Sequence, residues 1–283
     1  MDSKKKNIFL GIGAIAAMIA IYFVYEFFMY VETDNAYIEA HSVLISAKVP
    51  GYIKEIFIND GQKVKKGDIL VQIDDRDYKA AFEAAQSEVL SLEARKKDTE
   101  KNFYRLRELL AKSVVSQQQY DAANAAYNEM KAKYDSAKSR ATQAEISLEY
   151  TQLKAPSDGV IARSSAEIGQ LANPGTALVG FVSSKQRWIT ANFKETELSD
   201  IKVGRKVDIK IDALNGKNFS GEVESISSAT GSTFTLLPPD NATGNFTKVV
   251  QRVPVKIKIN NLSEQDKDSM QAGLSAVVKV HLH

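Results

Sequence analysis

The sequence predicts an elongated, multi-domain α+β protein: an N-terminal transmembrane helix, a small β domain split by a long antiparallel helical hairpin, and a C-terminal β-barrel domain. Three observations carry this reading. A glycine-punctuated strand pattern occurs twice, displaced by 108 residues; a heptad pattern runs between the copies; and beyond the second copy apolar and polar residues alternate with a period of two.

The repeat aligns Ala47, Gly51, Ile53, Gly61, Gln62, Gly67, Leu70 and Val71 with Ala155, Gly159, Ile161, Gly169, Gln170, Gly175, Leu178 and Val179, every spacing preserved without a gap. Glycines at fixed offsets mark backbone sites that need positive φ, so the three shared glycines predict shared turns. The first copy reads as short strands separated by Val49-Pro50-Gly51, Asn59-Asp60-Gly61 and Lys66-Gly67-Asp68, and the second as strands separated by Asp158-Gly159, Ile168-Gly169-Gln170 and Asn173-Pro174-Gly175. Residues 43–75 and 153–182 are therefore expected to be two halves of one domain.

Ahead of them, Lys4, Lys5 and Lys6 precede an uncharged, mostly apolar run from Ile8 to Tyr25, continued by Phe27, Phe28, Met29 and Tyr30. A run of about 20 residues exceeds a secretory h-region and reaches across a bilayer, with aromatic residues at its exit. Residues 1–31 read as a cytoplasmic stub and an uncleaved signal anchor, and the lysines keep the N-terminus cytoplasmic. A cleaved signal peptide is the alternative, with Ala14, Ala16, Ala17 and Ala20 as small residues for cleavage; in either case the body is exported. Glu26 sits at the exit end, where a carboxylate reaches water. Residues 32–42 then lead in as a linker or strand that joins the barrel.

From Tyr78 the period changes. Tyr78, Phe82, Ala85, Val89, Leu92, Lys96, Thr99, Phe103, Leu106 and Leu110 follow a 4-3 spacing, and Tyr120, Ala123, Tyr127, Met130, Tyr134, Ala137, Ala141, Ala144 and Leu148 repeat it. Lys96 and Thr99 are polar intrusions in that seam. No glycine or proline occurs between Gly67 and Pro156. The break Lys112-Ser113-Val114-Val115-Ser116 is too short for anything but antiparallel neighbours, and Ser116 with Gln119 fits a capping box. Residues 76–152 thus form a coiled-coil hairpin of two helices, each of roughly 34 residues and about 50 Å. The tyrosines and alanines of the second helix predict a slender pair. Pro156 and the residue before it end that helix.

Residues 183–283 alternate in Val207–Ile211, Phe219–Val223, Val255–Ile259 and Val277–Val280, the pattern of half-buried antiparallel strands, and closure into a barrel removes their edges. Between them the polar stretch from Thr230 to Asn245 is too long for a hairpin turn.

Composition excludes several function classes. Of 283 residues 44% are hydrophobic and 25% charged, with formal net charge +2, so the chain is neither polytopic nor disordered and presents no nucleic-acid footprint. Absence of cysteine removes disulfides, thiolate metal sites and cysteine nucleophiles. His41, His281 and His283 come without a ligand cluster, and no nucleophile elbow, phosphate-binding glycine loop or zinc motif occurs. Asp74, Asp75 and Asp77 read as acids at a helix N-terminus, placed there by capping and the helix dipole, rather than as a cation site. The sequons at Asn218, Asn241, Asn245 and Asn261 are read as chance. No catalytic residue, cofactor site or metal site is expected.

Glycine-marked half-motifs of this kind resemble lipoyl and biotinyl domains, whose two quasi-identical halves flank a turn that carries the modified lysine. Here the hairpin occupies that turn. Such an insertion resembles the periplasmic adaptor, or membrane fusion protein, family that includes the HlyD and EmrA types. Thr33-Asp34-Asn35-Ala36-Tyr37, Asp77-Tyr78-Lys79-Ala80-Ala81, Trp188-Ile189-Thr190-Ala191-Asn192-Phe193-Lys194-Glu195-Thr196 and Asn241-Ala242-Thr243-Gly244-Asn245-Phe246 are similar to the EmrA branch. The resemblance implies a non-enzymatic adaptor in a multidrug efflux pump of a Gram-negative bacterium. It would be held in the inner membrane by a single pass with its bulk periplasmic, partnered by an EmrB-like major facilitator transporter and a TolC-type outer-membrane channel, and self-associated in a ring. It also implies that Arg105, Leu109 and Ser116, which fit the family's spacing near the hairpin tip, contact the channel. Read without the resemblance, Arg105 is a solvated charge, Leu109 a neighbour of the seam and Ser116 an N-cap. Two further readings are an adaptor of an ATP-binding-cassette type I protein secretion system and a lipoyl or biotinyl carrier protein.

Overall fold

The structure, a computed structural model, describes residues 28–214, 217–230 and 250–282, with Met18 and Thr233 besides. The predicted anchor lies outside the described residues apart from Met18 and its exit at Phe28–Val31; so do most of the loop 230–245, the stretch Asn241–Phe246 and His283. Among the described residues no helix is long and apolar enough to cross a membrane.

In chain order the elements are β1 (Tyr30–Ser46), β2 (Gly51–Ile56), β3 (Lys63–Val64), β4 (Ile69–Ile73), α1 (Arg76–Ala111), α2 (Gln117–Glu149), β5 (Gln152–Lys154), β6 (Gly159–Ser164), β7 (Leu171–Ala172), β8 (Ala177–Lys194), β9 (Lys206–Ile211), β10 (Asn218–Ile226), β11 (Arg252–Ile259), α3 (Glu264–Ser269) and β12 (Ser275–His281). They form two compact units. One spans Ser42–Phe181; the other ends at His41 and resumes at Val182.

In the unit from Ser42 to Phe181 the sequence repeat becomes a pseudo-twofold exchange of hydrogen bonds. The Gly61 N–H donates to the Ile161 carbonyl and the Gly169 N–H to the Ile53 carbonyl, both at 2.8 Å. In return the Ile161 N–H donates to the Gln62 carbonyl and the Ile53 N–H to the Gln170 carbonyl, both at 2.9 Å. Each half's turn therefore grips the other half's strand. The glutamines recur because their side chains close the turns: Gln62 Oε1 accepts from Asn59 N–H at 2.9 Å and Gln170 Oε1 from Glu167 N–H at 3.0 Å. Gly61, Gly67, Gly169 and Gly175 have φ between 78° and 90°, as the shared turns require.

The third glycine pair lies outside the turns. Gly51 and Gly159 lie in strands, and a Cβ on Gly51 would meet Ile73 Cγ2 at 2.5 Å. At Gly51 close approach, not a turn, selects glycine. The repeated apolar residues, Ile53 with Ile161, Leu70 with Leu178 and Val71 with Val179, are all buried in one core.

The hairpin interrupts this domain between β4 and β5, which pair antiparallel through Ile69 with Lys154, Val71 with Leu153 and Gln72 with Gln152. Helices of 36 and 33 residues leave from adjacent strands and return to them. At 1.5 Å per residue they extend about 50 Å.

The other unit is a closed barrel of six strands: the order β1-β12-β9-β10-β11-β8 is completed by pairing of β1 with β8. Strand β9 shows the underlying pattern, alternating exposed and buried from Lys206 to Ile211. Ile189, Phe193, Val207, Ile209, Val255 and Ile257 fill the interior. Gly221 is obligatory where β10 passes between its neighbours, because a Cβ would lie 2.7 Å from the Lys258 carbonyl and 2.8 Å from Ile209 Cδ1. Helix α3, which no periodicity announces, is capped by Ser263 and is followed by the fully buried Met270.

Two of the stretches that resemble the EmrA branch meet where the barrel closes. Thr33 Oγ1 donates to the Asn192 carbonyl at 3.1 Å, and Asn192 Nδ2 donates to Asn35 Oδ1 at 3.0 Å. Beside them Glu39 accepts from Trp188 Nε1 at 2.9 Å and Thr190 Oγ1 at 2.8 Å. Burial and the Glu39 carboxylate raise the Tyr37 phenol above its ordinary pKa. These residues staple β1 to β8, so their pattern is explained by closure of the barrel.

Candidate functional site

The hairpin is built to hold its tip away from the β domain. Its seam is thin: Ala123 and Ala137 are the buried residues of α2, and α1 has none. Small side chains let the helices approach, and aromatic residues supply contact area between them. The Phe103 ring stacks on Tyr127 at 5.5 Å and 11°, and lies 5.6 Å from Tyr120. The two polar intrusions find partners. Lys96 Nζ sits 4.6 Å above the Tyr134 ring, and Thr99 Oγ1 donates to the Lys96 carbonyl at 2.9 Å. Arg140 Nη2 reaches Glu88 Oε1 across the pair at 2.7 Å. The Tyr127 hydroxyl donates to Glu100 at 3.4 Å, and burial of the ring followed by that carboxylate raises its pKa.

Both legs are tied to the β domain at the base. The Tyr78 hydroxyl donates to the Pro50 carbonyl at 2.7 Å, and Gln72 Nε2 to Thr151 Oγ1 at 3.2 Å. Asp75 is the N-cap of α1 but makes no side-chain cap, whereas Asp77 lies in the first turn, where an acidic residue meets the helix dipole as expected. Asp74 does more: it accepts the Arg76 N–H at 3.2 Å and the Arg76 guanidinium at 2.6 Å. That hydrogen bonding lowers the Asp74 pKa to about 2.

At the tip, α1 ends in a Schellman motif. The Ser113 N–H donates to the Leu110 carbonyl and the Val114 N–H to the Leu109 carbonyl, both at 2.9 Å. Ser113 takes the left-handed conformation at φ 59°, where glycine is the usual residue. The next helix starts at once. Ser116 Oγ accepts from the Gln119 N–H at 3.3 Å while Gln119 Oε1 accepts from the Ser116 N–H at 3.0 Å, which is the expected capping box.

Arg105 and Leu109, four residues apart, share one face of α1; Arg105 is exposed and Leu109 half-buried. No hydrogen bond or ion pair engages the Arg105 guanidinium among the described residues. Ser116 is exposed beyond the turn, its hydroxyl already engaged by Gln119. No hydrogen bond joins these three side chains to one another among the described residues. The feature that sequence reasoning missed is Val114. It follows the left-handed residue and is 66% exposed, although the residue at that place in a Schellman motif usually packs back on the helix. Two adjacent valines in a five-residue polar turn were the available signal. The exposed charges within about two turns of the tip are Arg105, Arg107 and Lys112 against Glu108 and Asp121. An apolar knob beside exposed cationic donors suits a surface that offers carbonyl and carboxylate acceptors around an apolar recess.

A two-halved β domain split by a helical hairpin, followed by a closed barrel, is the architecture of membrane fusion proteins. Residues 41–183 match the RND MFP barrel-sandwich hybrid domain, and residues 186–281 match the AAEA-like beta-barrel domain. The chain is 32% identical to the colistin resistance protein EmrA of Acinetobacter baumannii over 95% of its own length and 91% of the relative's. It is 32% identical to the multidrug export protein EmrA of Haemophilus influenzae over 96% of its length and 81% of the relative's. Among solved structures, a MacA-MexA chimeric protein that contains the Pseudomonas aeruginosa MexA α-hairpin domain superposes with a TM-score of 0.61 at 25% identity, covering 90% of this chain and 82% of that one. The chain belongs to the membrane fusion protein family, and its relatives include EmrA proteins.

Proposed function

We propose that the chain is the periplasmic adaptor of a tripartite multidrug efflux pump in a Gram-negative bacterium. It would be anchored in the inner membrane by one N-terminal span and would link an EmrB-like major facilitator transporter to a TolC-type outer-membrane channel. The observation that carries this reading is the hairpin: about 50 Å of paired helix, tied at its base, ends in an exposed apolar and cationic tip. Such an element transmits position rather than chemistry. The names of the relatives, one for colistin resistance and one for multidrug export, support efflux as the process. Catalysis has no part in the account, because the turn that bears a carrier's lysine is where the helices are inserted. Copies would pack into a ring with their hairpins projecting to the channel, where Arg105, Leu109 and Ser116 would meet its helical ends together with Val114.

The test is genetic and biochemical. The full chain is expressed with the transporter encoded beside it in a strain that lacks its own adaptor, and resistance and co-purification are read together. Wild-type chain should restore resistance and retain a major facilitator transporter, whereas Arg105→Glu should keep the transporter and lose resistance. Retention of an ATP-binding-cassette protein instead would replace this reading with secretion. Full resistance in Arg105→Glu would remove the tip assignment.

A further inference from the structure

The register of the barrel gathers one set of residues at one of its ends. Tyr30 opens β1 opposite His281 of β12, and β12 in turn places Val280 opposite Val207 at the start of β9. On the other side of β9, Lys206 faces Glu222 of β10. Lys194, the last residue of β8, faces Arg252 at the start of β11. The chain's arrival at Tyr30, the connection from β8 to β9 and the start of β11 therefore share one rim.

The connection from β8 to β9 ends in a tight turn whose tip is apolar. The Arg205 N–H donates to the Lys202 carbonyl at 3.3 Å, Gly204 takes φ 88°, and Val203 between them is 64% exposed. The turn is not floppy, because the Gly204 N–H donates to the Val223 carbonyl and the Val223 N–H to the Arg205 carbonyl, both at 2.9 Å. Lys202, Arg205 and Lys206 surround the valine, and no ion pair holds any of them among the described residues. The carboxylates near them on the rim are Glu195, Asp200 and Glu222; Glu197 is engaged by Lys194 at 3.3 Å. An exposed aliphatic side chain held up by a rigid turn and flanked by cations suits an interface with an apolar interior and anionic headgroups.

The occupant follows from the chain itself. The apolar run from Ile8, uncharged to Tyr25 and interrupted after that by Glu26 alone, ends at Tyr30, the residue that opens this rim. We propose that the Lys202–Lys206 turn is a membrane-contact site: Val203 enters the headgroup region of the bilayer beside the anchor, and Lys202, Arg205 and Lys206 engage anionic lipid phosphates. The site rests on the reading of residues 1–31 as a membrane anchor. It gives the barrel a second attachment to the membrane and fixes which rim faces it, a role that sequence pattern alone leaves unassigned.

Absence of cysteine from the chain allows a direct test. The full chain carrying Val203→Cys is labelled with an environment-sensitive fluorophore and reconstituted in vesicles of phosphatidylcholine with or without phosphatidylglycerol, which makes the surface anionic. Asn218→Cys, at the opposite end of β10, is the control. Lipids bearing a spin label in the headgroup region should quench the label at 203 at least threefold more than at 218, and more strongly in anionic vesicles. Lys202→Glu with Lys206→Glu should abolish the dependence on anionic lipid. Equal quenching at 203 and 218 in a chain that floats with the vesicles would overturn the site and leave the anchor intact. Quenching at 203 that disappears when the transporter is reconstituted alongside would also overturn it, since the turn would then face protein. A chain that does not float would overturn the anchor, and the site with it.

Discussion

Substituting Phe103→Ala should loosen the hairpin along its distal half without disturbing the β domain. Complete burial makes a Phe→Ala change cost about 3–5 kcal/mol. Phe103 is only half-buried, so its transfer and cavity contribution is roughly half of that, and an aromatic pair such as the one with Tyr127 adds about 0.5–1.5 kcal/mol. The sum is about 2–4 kcal/mol, localised because the partners of Phe103 are Tyr104, Tyr120 and Tyr127. Native-state amide hydrogen exchange on the full chain reads such local opening directly. Amides between Lys96 and Tyr134 should exchange roughly 30- to 700-fold faster, from about 1.4 kcal/mol per factor of ten, while those of Ile53 and Ile161 stay unchanged. Phe103→Leu should recover most of the loss. A change below about threefold, equivalent to under about 0.7 kcal/mol, would refute the claim that the aromatic stack holds the helices together. Equal acceleration in the β domain would refute its localisation.

The pseudo-twofold turns predict matched penalties: Gly61→Ala and Gly169→Ala should each cost about 1–2 kcal/mol, the strain of a left-handed L-residue, and denaturation should show them equal within error. Gly221→Ala should destabilise the barrel by about 1–3 kcal/mol, as overpacking does, and the loss should show in exchange of β9, β10 and β11 but not of the hairpin. The Asp74–Arg76 contact predicts a pH dependence at the hairpin base. Asp74 has its pKa depressed from 3.8 to about 2, so its contribution is complete above pH 3.8 and is lost as pH falls toward 2. Exchange at Asp75 to Lys79 should therefore accelerate across that window in the wild-type chain, and Asp74→Asn should remove the pH-dependent part.

The parts of the fold legible in sequence are those specified by local pattern. The heptads from Tyr78 to Leu148 depend on spacing alone, and the copied turns depend on glycine and glutamine at fixed offsets, so both survive as α1, α2 and the paired Gly61 and Gly169 turns. The parts that were not legible depend on partners distant in sequence. Lys96 breaks the heptad pattern because its ammonium rests on Tyr134, and Gly51 is glycine because Ile73 crowds it. Arg187 is buried against main-chain carbonyls, among them that of Met270 at 3.0 Å, which no local signal could disclose. The tip was half legible. Ser116 was read as an N-cap from its spacing to Gln119, yet exposure of Val114 depends on a left-handed serine that sequence does not advertise. Of the Asp74–Asp77 trio, Asp77 lies in the first turn as the helix-dipole reading expects, while Asp74 accepts both the Arg76 N–H and its guanidinium, an ion pair that spacing alone does not disclose.

Site-specific photo-crosslinking in living cells tests the central claim that the hairpin delivers its tip to a second membrane protein. A photoreactive amino acid is placed at Val114 in the full chain, with Ser139, exposed on α2 far from the tip, as the control. The account predicts that position 114 captures an outer-membrane channel, that position 139 does not, and that Arg105→Glu weakens the capture. Crosslinks from position 114 that reach only other copies of the chain, or capture of the channel equally from position 139, would contradict it.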